Sequence, residues 1–172
     1  MSDLLAKAIP NKTLINVKGG GYIDYDSSPW VFKGVGLNIK FIFDELNLGS
    51  DLRESVRKTI AWYLENNSLS HSKNIYERLK KFSEIAHKEP IEFITSAHIL
   101  NFRSILNESS EWYLGTLSGF FKKIYRSGYP GIDKSAIDLL SQIKIKGNKK
   151  GEAVRTADPN IGAYTEIETQ AL

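Results

Sequence analysis

The chain has 172 residues, 41% of them apolar and 25% charged, with a net charge of +3; this is the composition of a folded domain and excludes a disordered or fibrous polypeptide. It has no cysteine, which excludes a disulfide framework, a thiolate metal site and a thiol nucleophile. Residues 1–7 lack the apolar segment of a signal peptide and no uncharged run approaches the roughly 20 residues of a membrane span, so a soluble, cytoplasmic protein is expected.

The first elements read as β. Four aromatic and β-branched runs, Leu14–Val17, Tyr22–Tyr25, Trp30–Phe32 and Leu37–Phe43, are separated by Gly19-Gly20-Gly21, by Asp26-Ser27-Ser28-Pro29 and by Lys33-Gly34-Val35-Gly36. They predict a small sheet of about three strands over residues 14–43. Neither glycine cluster is followed by Lys-Ser/Thr or by a helical pattern, so both read as turns rather than phosphate loops.

From residue 51 the apolar period changes to that of helices. Asp51-Leu52-Arg53-Glu54 has capping-box spacing and opens a helix to about Asn66, with Leu52, Val56, Ile60 and Tyr63 as its apolar stripe and Trp62 and Leu64 alongside. A second helix runs from about His71 to Ala86 and buries Ile75, Leu79, Phe82 and Ala86. After Pro90, Thr95 or Ser96 caps a third, to about Leu106, with Ile99, Phe102 and Ile105 or Leu106 inward. Ser109-Ser110-Glu111 starts a fourth, which ends at Gly128-Tyr129-Pro130-Gly131. A short fifth follows Asp133, to about Ile143, and a basic linker succeeds it at Lys144–Gly151. Thr165-Glu166-Ile167-Glu168 is one more capping box, close to Leu172; it announces a helix too short to stand alone, so a following domain is expected.

Charge is unevenly spread. Residues 1–69 balance to zero, residues 70–150 carry +6 and residues 151–172 carry −3. The helical middle is therefore where a polyanion would bind. Catalytic patterns are scarce: His71, His87 and His98 have no metal-ligand spacing, and no nucleophile elbow, Walker or dinucleotide-binding pattern occurs. Glu89 and Glu92 lie in a loop with no acid/base role assigned. The basic features are more informative. The fourth helix places Tyr113, Leu117, Phe120, Phe121 and Ile124 inward. A second stripe of Gly115, Ser118, Gly119, Lys122 and Arg126, with Lys123 beside it, could let a phosphate backbone approach, or could let another helix pack closely. On the second helix His71, Asn74, Arg78 and Lys81 form one polar stripe; Asn and Arg can read base edges as well as phosphates. Lys73, Glu77 and Glu84 read as an ordinary solvated face.

The order of these features resembles the core-binding region of a tyrosine recombinase, or phage-type integrase. The residues that carry the likeness are Thr59-Ile60-Ala61-Trp62-Tyr63 with Ser68–Asn74, then Phe120–Tyr129, then Val154-Arg155-Thr156 and Tyr164–Glu168. The resemblance covers residues 51–172 and leaves residues 1–50 outside it. It implies an α+β, mainly α fold: a small N-terminal β element (1–48), a SAM-like bundle of four to five helices (49–146), and a linker entering a truncated catalytic domain (147–172). It implies half of a clamp on duplex DNA at a recombination site. The implied DNA contacts are Asn74 and Arg78 on the second helix, Lys122, Lys123 and Arg126 on the fourth, and Lys144, Lys146, Lys149 and Lys150 in the linker; Lys81 joins them from the polar stripe. Where family members often carry basic residues this chain has Ser118 and Gly119. The family's catalytic residues fall beyond Leu172, so DNA binding without cutting or joining is expected, as part of DNA integration and recombination, with no cofactor, metal or small-molecule substrate and possible self-association. The alternative is a protein-interaction module using the aromatics Tyr22, Tyr25, Trp30 and Phe32, unless these pack on the first helix.

Overall fold

A computed structural model describes residues 13–34, 37–85 and 89–145. The fold is α+β: four short strands are followed by five helices. Strands β1 (Leu14–Asn16) and β2 (Tyr22–Asp24) pair antiparallel, and so do β3 (Trp30–Gly34) and β4 (Leu37–Phe41), giving two separate two-stranded hairpins. This departs from the single sheet of about three strands read from the sequence. The break falls at Asp24–Pro29. There the Ser27 N–H and hydroxyl both donate to the Asp24 carbonyl, at 3.1 and 2.7 Å, so the chain folds back on itself instead of presenting a ladder to β3.

The first glycine cluster is a turn. Gly19, Gly20 and Gly21 all have positive φ, +105°, +115° and +93°, a run that side chains would resist. The turn brings the Lys18 N–H to the Leu64 carbonyl at 2.8 Å and its ammonium to the Asn66 carbonyl at 3.2 Å. Both acceptors lie at the end of helix α1 (Ser50–Asn66), so the hairpin closes that helix.

The β3–β4 register sets Trp30 opposite Phe41 and Phe32 opposite Ile39, which turns Trp30, Phe41 and Ile39 inward. Trp30 is fully buried against Tyr25 and Phe43. The Arg57 guanidinium of α1 donates to the Tyr25 and Ser27 carbonyls and lies over the Tyr25, Trp30 and Phe43 rings at 5.0, 5.3 and 5.7 Å. The Tyr25 hydroxyl donates to Glu54 at 2.6 Å. Of the aromatic set at the N-terminus, Tyr25 and Trp30 thus pack on the first helix, Phe32 is half-buried, and Tyr22 is 69% exposed.

Helix α2 (Leu69–Ser83) begins two residues before the sequence expectation because Ser68 caps it, accepting from the His71 N–H at 3.2 Å. Helix α3 (Ser96–Ser104) carries a capping box from Thr95 and His98. Helix α4 (Trp112–Arg126) starts three residues later than Ser109 because Asn107, Ser109 and Ser110 bond to one another in a local turn. It ends as expected at Gly128 (φ +71°), where the Gly128 and Tyr129 N–H groups return to the Tyr125 and Ile124 carbonyls. Helix α5 (Lys134–Gln142) is capped by Asp133, whose carboxylate accepts from the Ser135 N–H at 2.7 Å; hydrogen bonding from the Ser135 side chain, with that N–H, holds its pKa below the usual value.

The capping box read at Asp51–Glu54 is not formed. Gly49 is the N-cap residue of α1, and Glu54 accepts from Tyr25 instead. A Cβ at Gly49 would collide with the Glu92 carboxylate, which therefore sits at the positive end of α1.

One core joins the hairpins to the helices: Ile15, Ile23, Trp30 and Phe41 are buried in the same cluster as Leu52, Val56, Ile60, Leu79, Phe82, Phe102, Phe120 and Phe121. Tyr76 ties β4 to α2 by exchanging hydrogen bonds with the Ile42 backbone at 2.9 and 3.0 Å. Among the described residues no helix is long and apolar enough to cross a membrane.

Candidate nucleic-acid interface

Helices α1, α2 and α4 pack on one another, and Arg78, Lys81 and Lys123 among the sequence-derived cations lie where they meet. On α2, Ile75, Leu79 and Phe82 are buried, and the polar stripe lies along the edge next to α4. Asn74 and Lys81 are exposed there. Arg78 is not free: its side chain is only 14% exposed, its guanidinium pairs with Glu77 at 3.3 Å, and it lies over the Trp112 and Tyr113 rings of α4 at 4.9 and 4.5 Å. Lys81 reaches the same Tyr113 ring at 5.3 Å. Arg78 is therefore a packing residue between α2 and α4 that shows one edge to solvent, a role its spacing with Asn74 did not reveal.

On α4 the three cations point different ways. Lys123 lies over the Trp62 indole of α1, with Nζ 3.9 Å from the ring centroid. Lys122 turns toward α5 and donates to the Leu140 carbonyl at 3.2 Å, satisfying an acceptor in that helix's last turn. Arg126 is exposed, one turn beyond both. Ser118, placed in the contact stripe from sequence, is buried instead. The two helical glycines differ: Gly115 meets the Ile145 side chain at 3.7 Å, while Gly119 faces open space. Among the described residues no helix comes within 4 Å of a Cβ placed at either glycine, so close helix packing explains neither.

The Lys144 carbonyl accepts from Arg103 at 3.3 Å, and Arg103 also pairs with Glu111 at 2.9 Å, which anchors the start of the linker beside α4 with Lys144 exposed. Lys146, Lys149 and Lys150 lie outside the described residues.

An aromatic chain connects the two clusters of cations. Trp62 meets Tyr63 edge-on at 5.1 Å, and Tyr63 contacts His71 of α2 at 5.7 Å and Phe120 of α4 at 5.7 Å. The stripe Asn74, Arg78 and Lys81 thus continues through His71, Tyr63 and Trp62 to Lys123. Trp62 is the residue that sequence reasoning missed. It stands two residues past Ile60, on the opposite side of the helix, and that offset was the available signal.

Among the described residues no group of three or more His, Asp or Glu side chains could hold a metal ion. His98 accepts from the Thr95 N–H through Nδ1 at 3.1 Å, and burial lowers its pKa; it is a helix cap. Comparison with known protein families, characterised proteins and solved structures finds no match to the chain.

Proposed function

We propose that this chain binds duplex DNA through the rim formed by α2, α4 and the linker, as the SAM-like core-binding part of a tyrosine-recombinase-type protein. The observation that carries the reading is the continuity of that rim: Lys81 and the edge of Arg78 against Tyr113 at one end, and Lys123 over Trp62 with Arg126 beyond it at the other. In this reading the exposed ammonium and guanidinium groups neutralise successive phosphates, and counterion release supplies the affinity. Asn74 is the exposed side chain on the rim suited to a base edge. Binding without strand cleavage belongs to the same reading. The interaction-module alternative is weaker because Trp30 and Tyr25 are committed to the core.

The test is fluorescence anisotropy of a labelled duplex titrated at several salt concentrations. Affinity is expected to fall steeply with salt, and Lys123→Ala or Arg126→Ala each to reduce the log–log slope by about 0.9, the value for one phosphate contact. Asn74→Ala should narrow the difference between duplex sequences. Lys40→Ala, an exposed cation on β4, serves as the control. Binding that ignores salt, or that responds equally to Lys40→Ala, refutes the assignment.

A further inference from the structure

Trp62 is unusual among the large apolar side chains of this rim. It is 39% exposed at the last turns of α1, yet its ring is not loose: Lys123 covers it at 3.9 Å and Tyr63 meets it edge-on. Lys58 lies one turn earlier on the same helix, paired with Glu54 at 4.0 Å, and Arg126 lies one turn beyond Lys123 on α4. With the Lys58–Glu54 pair cancelling, Glu65 on the neighbouring turn of α1 stands against Lys123 and Arg126, while Glu77 on α2 is paired with Lys73 and Arg78. The surroundings of the indole are thus net positive, and beside them Gly119 leaves open space.

A duplex offers phosphates and base edges to such a surface but keeps its base faces stacked inside. An unpaired strand offers the faces themselves. A rigidly held, half-exposed indole among cations is the combination that binds single strands: the ring stacks on a base of any identity while the cations follow the backbone. We infer that the rim also takes unpaired DNA, one nucleobase stacking on the exposed part of Trp62 while Lys123 and Arg126 hold the flanking phosphates. This rests on the DNA-binding reading and extends it from the duplex to a melted or single-stranded segment at the α1–α4 end of the rim.

The experiment titrates the full chain against labelled oligo-dT and, in parallel, a duplex of equal length, at low salt. The variants are Trp62→Leu and Trp62→Phe, with circular dichroism and thermal melting to verify that each is folded. Oligo-dT is expected to bind and to quench tryptophan fluorescence. Trp62→Leu is expected to weaken oligo-dT about tenfold, the size of one lost stacking contact, while Trp62→Phe restores most of it and the duplex changes less than about threefold. If the duplex binds and oligo-dT does not, or if Trp62→Leu weakens both alike or neither, the inference falls and duplex binding stands. If oligo-dT binds in a Trp62-dependent way and the duplex does not, the duplex reading falls and the inference stands. If neither binds, both fall.

Discussion

Gly131→Ala tests how the end of α4 is positioned. Gly131 follows the turn that closes α4 and is buried with φ +103°. Its carbonyl accepts from the Ile94 N–H at 2.8 Å, so the turn is also tied to the segment entering α3. An alanine Cβ there would lie 2.7 Å from Leu52 Cδ1, 2.8 Å from its Cβ and 3.0 Å from its Cα. The first atom can move with a side-chain rotation, but the last is α1 backbone and cannot yield without moving the helix. Positive φ costs an alanine about 1–2 kcal/mol. Overpacking against a closed core adds about 1–3 kcal/mol. The lower entropy of alanine in the unfolded chain offsets up to about 1 kcal/mol. The net expectation is a loss of about 3 kcal/mol, or a fall in Tm of roughly 6–12 °C for a chain of this size. Gly128→Ala is the matched control: its φ is +71° but open space surrounds the Cβ position, so the conformational cost of about 1–2 kcal/mol, less the same unfolded-chain offset, applies without the steric one. Urea and thermal unfolding of both variants measure the two costs separately. Equal losses for Gly128→Ala and Gly131→Ala, or a loss below about 1 kcal/mol at Gly131, would refute the steric account.

Two further outcomes follow from the hydrogen-bonded ends of elements. His98 accepts through Nδ1 at the start of α3 and burial lowers its pKa, so the folded state binds a proton less readily than the unfolded chain. Its contribution to stability is therefore complete above the unfolded value near 6.5 and is lost as pH falls from there through the lowered folded value; NMR titration of the ring should give a midpoint below 6.5, and one at or above it contradicts the cap. Tyr25→Phe removes the 2.6 Å bond to Glu54, a charge-assisted hydrogen bond in a half-buried setting, and should cost about 1–2 kcal/mol in urea unfolding with little change in the circular dichroism of the helices. Added to the salt series and the Trp62 variants, these measurements sample both ends of the rim and the hairpin that supports it.

Much of the fold is local and therefore visible in the chain. The inward positions of α1, α2 and α4 follow the helical period, and Leu52, Val56, Ile60, Leu79, Phe120 and Ile124 are all buried where that period puts them. Thr95, Asp133 and Gly128 are capping residues whose side chain or missing Cβ acts within a turn of its own position, so their identity alone predicts the helix end. The failures are of a different kind. Asp51–Glu54 has capping-box spacing, yet Glu54 is claimed by Tyr25, 29 residues earlier. Arg78 and Lys122 look like Lys81 and Arg126 on a helical wheel, but one is sandwiched against Trp112 and Tyr113 and the other is bound to the end of α5.

The sequence by itself determined the class of each element, most of their ends, the apolar faces and the basic middle of the chain, because these depend on periodicity and on hydrogen bonds spanning three or four residues. Only the tertiary structure decided that the β segments form two hairpins over α1, that Trp62 stays half-exposed under Lys123, and which cations remain at the surface. Those outcomes depend on side chains distant in sequence competing for the same partner. A long cation settles wherever a ring, carboxylate or carbonyl of another element comes within reach, and helix packing sets that distance.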